Sequence, residues 1–236
     1  DLSTGVVTYR LTAIDPRTGE PPTSPRLGIL PPNNEQREGE GFVTFRVAPK
    51  PSVASGTVIT NSATIVFDTE ASIETNVEFN TIDKEPPTTS MAALPRYAHR
   101  TWIPIRWSGD DAGGSGVRSY TVWVSMDGGL FRKWLSDVTF TEAPFDVQPG
   151  CHRYAFYVTA ADNVGNLMSP PLQPQLVIET FVGDINQDRV VDDADLLEVL
   201  FAFGNRGNNI PADVTGDGVV DEEDLIVILT NFGSRC

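Results

Sequence analysis

The sequence predicts a mainly β chain: two tandem β-sandwiches followed by a small all-α domain. Three observations carry this prediction. From Gly5 to Thr180, apolar and polar residues alternate in short runs, the period of half-buried strands. These runs are separated by turn-forming segments, in a chain that holds 18 Pro and 20 Gly. Past Gly183 the pattern changes: a short acidic motif occurs twice, and each copy leads into an apolar run with helical spacing. The three segments are residues 1–82, 83–180 and 181–236.

In residues 1–82, strands are expected over Gly5–Ile14, Gly41–Val47, Thr57–Phe67 and Ile73–Phe79. Asp15-Pro-Arg-Thr-Gly19 has turn composition, and a Pro-rich loop runs to Pro32. No helical period appears, so an antiparallel sandwich is the expected form. Glu35, Glu38 and Glu40 make a solvated acidic loop rather than an active group. Ala63-Thr-Ile-Val-Phe-Asp68 and Phe79-Asn-Thr-Ile-Asp83 resemble the repeated Ig-like modules near the C-termini of very large bacterial surface proteins.

Asp83-Lys-Glu-Pro-Pro87 is a short, stiff junction, because consecutive prolines hold an extended backbone. Beyond it, strands are expected over Trp102–Ser108, Val117–Ser125, Leu130–Leu135, Cys151–Ala160 and Pro174–Thr180. Trp107, Tyr120, Val122, Tyr154, Phe156 and Val158 are the predicted core. The order and spacing resemble a fibronectin type III or bacterial Ig-like domain. Two loops are richer in oxygen ligands than a sandwich needs: Asp110-Asp-Ala-Gly-Gly-Ser-Gly116 and Asp162-Asn-Val-Gly-Asn166. Ordinary turn chemistry accounts for them, since Asp and Asn cap their own backbone. The alternative is a third cation bridging the two sandwiches through Asp83, Asp110, Asp111, Asp162 and Asn163.

The C-terminal repeat has its own chemistry. Asp213 repeats Asp184 at a spacing of 29 residues, and both copies close on Phe-Gly. A hard cation such as calcium takes oxygens from loop positions 1, 3 and 5, a carbonyl at 7, a group at 9 and a carboxylate at 12. In the first copy these are Asp184, Asn186, Asp188, the Val190 carbonyl, Asp192 and Asp195. In the second they are Asp213, Thr215, Asp217, the Val219 carbonyl, Asp221 and Asp224. Each position 12 opens a helix with a broad apolar face: Leu196, Leu197, Leu200, Phe201 and Phe203, then Leu225, Ile226, Ile228, Leu229 and Phe232. Two acidic turns that merely solubilise a helical pair are the plainer reading; the intact double register favours metal.

These paired loop–helix units, with Asp at position 12, resemble a type I dockerin. The resemblance covers residues 181–236. It implies two calcium ions, a three-helix module whose ends lie close together, and docking onto a cohesin-like protein. Position 6 is Gly218 in the second loop but Arg189 in the first, which implies strain there. Thr215 is a neutral ligand where the family uses Asn or Asp. The partner-facing pairs are Asp193-Ala194 and Glu222-Glu223 instead of Ser/Thr, and the basic residue that follows in the family is missing. If the ends meet, Cys236 returns to Cys151 at the start of a strand. An oxidising compartment then favours a Cys151–Cys236 disulfide over two free thiols.

Composition narrows the function. Lys+Arg total 17 against 32 Asp+Glu, a net charge of −15, which repels nucleic acid and anionic membrane surfaces. No apolar run approaches the ~20 residues that span a bilayer. The chain opens at Asp1 in sequence that reads as mid-domain, as a processed product or the C-terminal piece of a secreted precursor would. His99 and His152 have no ligand or triad partners at useful spacing, and no catalytic residue is assigned. The expectation is a non-catalytic, extracellular or cell-surface segment of a bacterial protein, docking in a calcium-dependent way or self-assembling. Two alternatives remain: a subunit of a fibre or surface array with the dockerin as an intramolecular cap, or an accessory part of a polysaccharide-degrading enzyme. A carbohydrate ligand has no support in the residues.

Overall fold

The computed structural model describes residues 3–24, 28–30 and 32–236. The chain divides into two compact units, Asp1–Pro51 and Ser52–Cys236. The protein is mainly β, with two short helices near its C-terminal end.

Among its described residues the first unit carries no strand. Gly5–Ile14 and Gly41–Val47 are not paired into a ladder, which corrects the expected first sandwich. Alternation gave each run an apolar side, but no second layer covers it: Leu11, Phe42 and Val47 are all exposed. Without a covered face, nothing fixes strand register. The turn at Asp15–Gly19 does form, closed by Gly19 N–H on the Asp15 carbonyl at 2.9 Å and capped by the Asp15 carboxylate. The Pro-rich loop before Pro32 lies partly outside the described residues.

The second unit begins with an antiparallel ribbon. Strand β1 (Val58–Asn61) pairs with β4 (Glu78–Thr81), and β2 (Thr64–Ile65) pairs with β3 (Ile73–Glu74) between them. Val58, Ile65, Phe67 and Phe79 stay exposed, so residues 52–82 form a ribbon rather than half of a sandwich.

The sandwich itself follows. One sheet orders β10 (Glu142–Asp146), β7 (Trp102–Asp110) and β5 (Thr88–Met91). The other orders β6 (Tyr97–Ala98), β12 (Leu176–Phe181), β11 (Cys151–Asp162), β8 (Val117–Met126) and β9 (Arg132–Val138). Alternate residues of the long strands meet between the sheets: Ile103, Ile105 and Trp107; Tyr120 and Val122; Tyr154, Phe156 and Val158; Ile178. Phe145 packs edge-on against Trp134, Tyr154 and Phe156 at ring separations of 5.0–5.1 Å. Pro144 of edge strand β10 sits opposite Pro104, so the two residues that lack an N–H share one rung.

Helices α1 (Asp193–Ala202) and α2 (Glu222–Asn231) carry the same start signal. Asp192 and Asp221 are N-caps, and Asp195 and Asp224 reach back to the cap backbone as reciprocal capping boxes. Each helix stops before a Phe-Gly pair whose glycine, Gly204 or Gly233, takes a positive φ of 84° or 82°. No third helix lies between them among the described residues, a departure from the three-helix expectation. Gly207 and Pro211 interrupt that connection, and its backbone is used otherwise. Val190 bridges to Arg235 and Val219 bridges to Arg206, so each acidic loop pairs with the segment after the other loop's helix. The 29-residue repeat therefore becomes a pseudo-two-fold exchange.

This module is not separate from the sandwich. Phe181, at the end of β12, belongs to the apolar cluster of Ile185, Val191, Val199, Val214, Val220 and Ile228. Val227 packs against both this cluster and the sandwich core. A disulfide joins Cys151 to Cys236 with Cα atoms 5.5 Å apart, across 85 residues of sequence. No helix among the described residues is long and apolar enough to cross a membrane.

Candidate metal centre and docking face

Each acidic loop is built by its own backbone. Residues 4 and 6 of both loops take left-handed conformations: Gln187 at 64° and Arg189 at 72°, Gly216 at 75° and Gly218 at 92°. Arg189 adopts without glycine the conformation Gly218 adopts with it, at a cost of about 1–2 kcal/mol. These turns aim N–H groups at the first carboxylate. Asp184 accepts from Asp188 N and Arg189 N, both at 3.1 Å, and Asp213 accepts from Gly216, Asp217 and Gly218 N at 2.8–3.2 Å. Position 12 is held the same way: Asp195 accepts from Ile185 N at 2.8 Å and Asp192 N at 3.0 Å, and Asp224 from Thr215 N at 2.9 Å and Asp221 N at 3.0 Å. Asn186, Asp188 and Asp217 stand at the open side, Asp192, Thr215 and Asp221 are half-buried, and the Val190 and Val219 N–H groups donate to Asp188 and Asp217.

Asp184, Asp195 and Asp224 are fully buried and Asp213 nearly so, yet none of the described ion pairs reaches them. Buried carboxylates without a basic partner are costly unless a cation neutralises them. The donor set is all oxygen and spaced for one hard ion per loop, so the residues fit calcium.

The sandwich grips both loops. The Tyr97 hydroxyl donates to Asp184, and burial, reinforced by that hydrogen bond and the Asp184 charge, pushes the phenol pKa far above its ordinary value. Trp102 Nε1 donates to the Thr215 carbonyl at 2.8 Å, Thr101 N to the Val214 carbonyl at 2.9 Å, and Arg100 to the Ile210 carbonyl at 3.1 Å. His99 donates from Nε2 to the Pro211 carbonyl at 3.0 Å, and burial lowers its pKa. His152 instead faces the Asp127 carboxylate at 2.8 Å and the Pro149 carbonyl at 3.1 Å. A Cβ at Gly216 would lie 2.6 Å from Trp102 Nε1. Gly216→Ala is therefore expected to cost about 2–4 kcal/mol in urea unfolding, from the positive φ and the displaced indole. A cost under about 0.5 kcal/mol would mean Trp102 does not hold the loop.

The helices bury less than their apolar content suggested. Val199 and Ile228 are fully buried and Leu196 and Leu225 partly so, but Leu197, Leu200, Phe201, Phe203, Ile226, Leu229 and Phe232 are exposed. A ten-residue helix lays one stripe on its neighbour, and these helices carry apolar side chains on a second. Leu197 and Ile226, Leu200 and Leu229, and Phe203 and Phe232 correspond at the 29-residue repeat. Asp193, Ala194, Glu222 and Glu223 are exposed in the first turns, beside this patch in sequence.

A second acidic group lies at the other pole of the sandwich. Asp83, Asp111 and Asp162 offer oxygens within 4.8 Å of one another. Asp110 does not join them; its carboxylate accepts from Ala112 N at 3.3 Å. Asn163 donates to the Ser115 and Gly116 carbonyls at 2.8 and 3.0 Å, fastening the two loops together. A register shift between Ala161 and Asp162 ends β11 and leaves Asp162 fully buried. Ser115, through its side chain and its N–H at 2.8 Å, holds the Asp83 pKa below the usual carboxylate range, whereas burial pushes Asp111 up.

Comparison with known proteins adds little to this geometry. The family described as domain of unknown function DUF7619 matches residues 28–81. No curated protein matches the chain. Fibronectin(III)-like modules of Clostridium thermocellum CbhA are similar at 19% identity, covering 55% of this chain and 64% of that one, with a TM-score of 0.28. A β-1,2-glucanase from Parabacteroides distasonis is similar at 14% identity, covering 56% of this chain and 19% of that one, with a TM-score of 0.31. The chain thus spans less than two thirds of either.

Proposed function

We propose that this chain is a non-catalytic assembly segment of an extracellular or cell-surface protein, in which a type I dockerin-like module docks onto a cohesin-like partner in a calcium-dependent way. The observation that carries this reading is the pairing of two buried, base-free carboxylate cages with an exposed apolar face repeated on both helices. Calcium, when bound, supplies the positive charge those cages lack. Asp184, Asp195, Asp213 and Asp224 hold the loop backbones through their N–H groups, and the N-caps at Asp192 and Asp221 set the helices at fixed angles to the loops. Leu200 and Leu229, which correspond in the 29-residue repeat, are both exposed and available to a partner.

Titration against a panel of purified cohesin domains tests it. Leu200→Glu with Leu229→Glu is expected to weaken binding at least ~100-fold, since each places a charge in the apolar contact. Helical circular dichroism should stay unchanged. Binding that survives both charges, or that ignores chelator, rejects the reading.

A second reading has its own support. Tyr97, Trp102 and the Cys151–Cys236 bond fasten the module to its own sandwich, as a calcium-locked cap of a structural subunit would be fastened. Calcium-dependent self-association by light scattering, with no cohesin bound, favours this one.

A further inference from the structure

We propose that Asp83, Asp111 and Asp162 form a third cation site, independent of the C-terminal loops, that takes a calcium ion and clamps the segment entering the sandwich onto the loops after β7 and β11. Three side chains from separate parts of the second unit converge there: Asp83 from the junction, Asp111 from the loop after β7, and Asp162 from the end of β11. Asp83 Oδ2 and Asp111 Oδ2 both overhang Gly114, where a Cβ would lie 2.7 and 2.8 Å from them. A side chain at this position would have to displace both carboxylates from where they stand.

The outer oxygens are fixed by backbone. Gly116 N donates to Asp111 Oδ2 at 2.7 Å, and Val164, Gly165 and Asn166 N donate to Asp162 Oδ1 at 2.6–3.0 Å. Asn166 Nδ2 donates to Asp162 Oδ2 at 2.7 Å and reaches the Asp83 and Glu85 carbonyls at 3.4 Å, tying the junction to the same loop. One oxygen is left over. Asp111 is only 9% exposed, and its Oδ1 is buried without a hydrogen-bond partner. None of the described ion pairs involves the three carboxylates. A separation within 4.8 Å is the span one ion bridges with bonds of about 2.4 Å, the calcium–oxygen length; magnesium, with bonds of about 2.0–2.1 Å in a strict octahedron, fits less well.

The test counts ions by native mass spectrometry on the whole chain in about 1 mM calcium, the range of extracellular modules. Wild type is expected to hold three, Asp111→Asn two, and the double variant Asp195→Ala, Asp224→Ala one. Asp83→Asn gives the same loss as Asp111→Asn should the latter fold poorly. A thermal melt supplies the second readout. With calcium, Asp111→Asn lowers the midpoint; in chelator, where it removes one of three repelling charges, it raises the midpoint. If Asp111→Asn and Asp83→Asn keep the wild-type count, or raise the midpoint in both buffers, the site does not exist. A wild-type count of one that falls to zero in Asp111→Asn leaves this site standing and removes the C-terminal loops from the reading.

Discussion

Stripping calcium from the two C-terminal loops is expected to lower the stability of the second unit by about 5 kcal/mol, because two loop sites each filled ~100-fold above their dissociation constants contribute about 2.7 kcal/mol apiece, and the Asp111→Asn variant, which lacks the third site, isolates this share. For a unit of this size that corresponds to a fall of about 10–20 °C in the melting midpoint. The helical circular dichroism should fade first, since the first turns of α1 and α2 belong to the loops, and the capping carboxylates Asp195 and Asp224 are buried with no basic residue beside them. The β signal of the sandwich should persist longer, because its core of Phe156, Ile105 and Val158 contains no ligand. A melting curve indifferent to chelator would refute the metal reading of both loops.

Phe181→Ala is expected to cost about 3–5 kcal/mol in urea unfolding, the range for removing a fully buried aromatic ring. The position multiplies the effect. Phe181 lies opposite Cys151 in the β11–β12 ladder and within the cluster that holds Val199 and Ile228. Its loss opens a cavity where the sheet meets the helices, so helical and near-ultraviolet signals should be lost at lower urea together. Phe201→Ala, at a ring 83% exposed, serves as the control and should move stability by less than about 0.5 kcal/mol. Equal costs at the two positions would mean that the helices do not rest on β12.

Much of this was legible in the sequence. Trp107, Tyr120, Val122, Tyr154, Phe156 and Val158 were readable as core because long strands with one face inward print their period directly, and all six are buried. The helix after each acidic loop was readable because the apolar runs that follow carry helical spacing. Short edge elements were not. Thr88–Met91 is polar and Glu142–Asp146 contains Pro144, so neither carries a strand signal; both exist because β7 offers them a ladder. The first unit failed in the opposite sense: Gly5–Ile14 has the period but no partner layer, and period alone does not supply one. The helical faces were overcounted for a related reason, since composition lists apolar residues without saying which stripe is covered; Val199, absent from the predicted face, proved the most buried of α1 beside Asp195. The grip of Tyr97 and Trp102 on the loops spans 87 and 113 residues of sequence, a separation that no local pattern encodes.

The bond between Cys151 and Cys236 has a mechanical corollary. Tension drawn on Cys236 passes straight into β11, the strand with the most extensive pairing in the larger sheet, without travelling through α1 or α2. The helices thus lie on a slack branch in parallel with a covalent load path. Pulling would leave them folded until the sheet itself gives way, so an anchorage that uses this end would bear force whatever the state of the two loops.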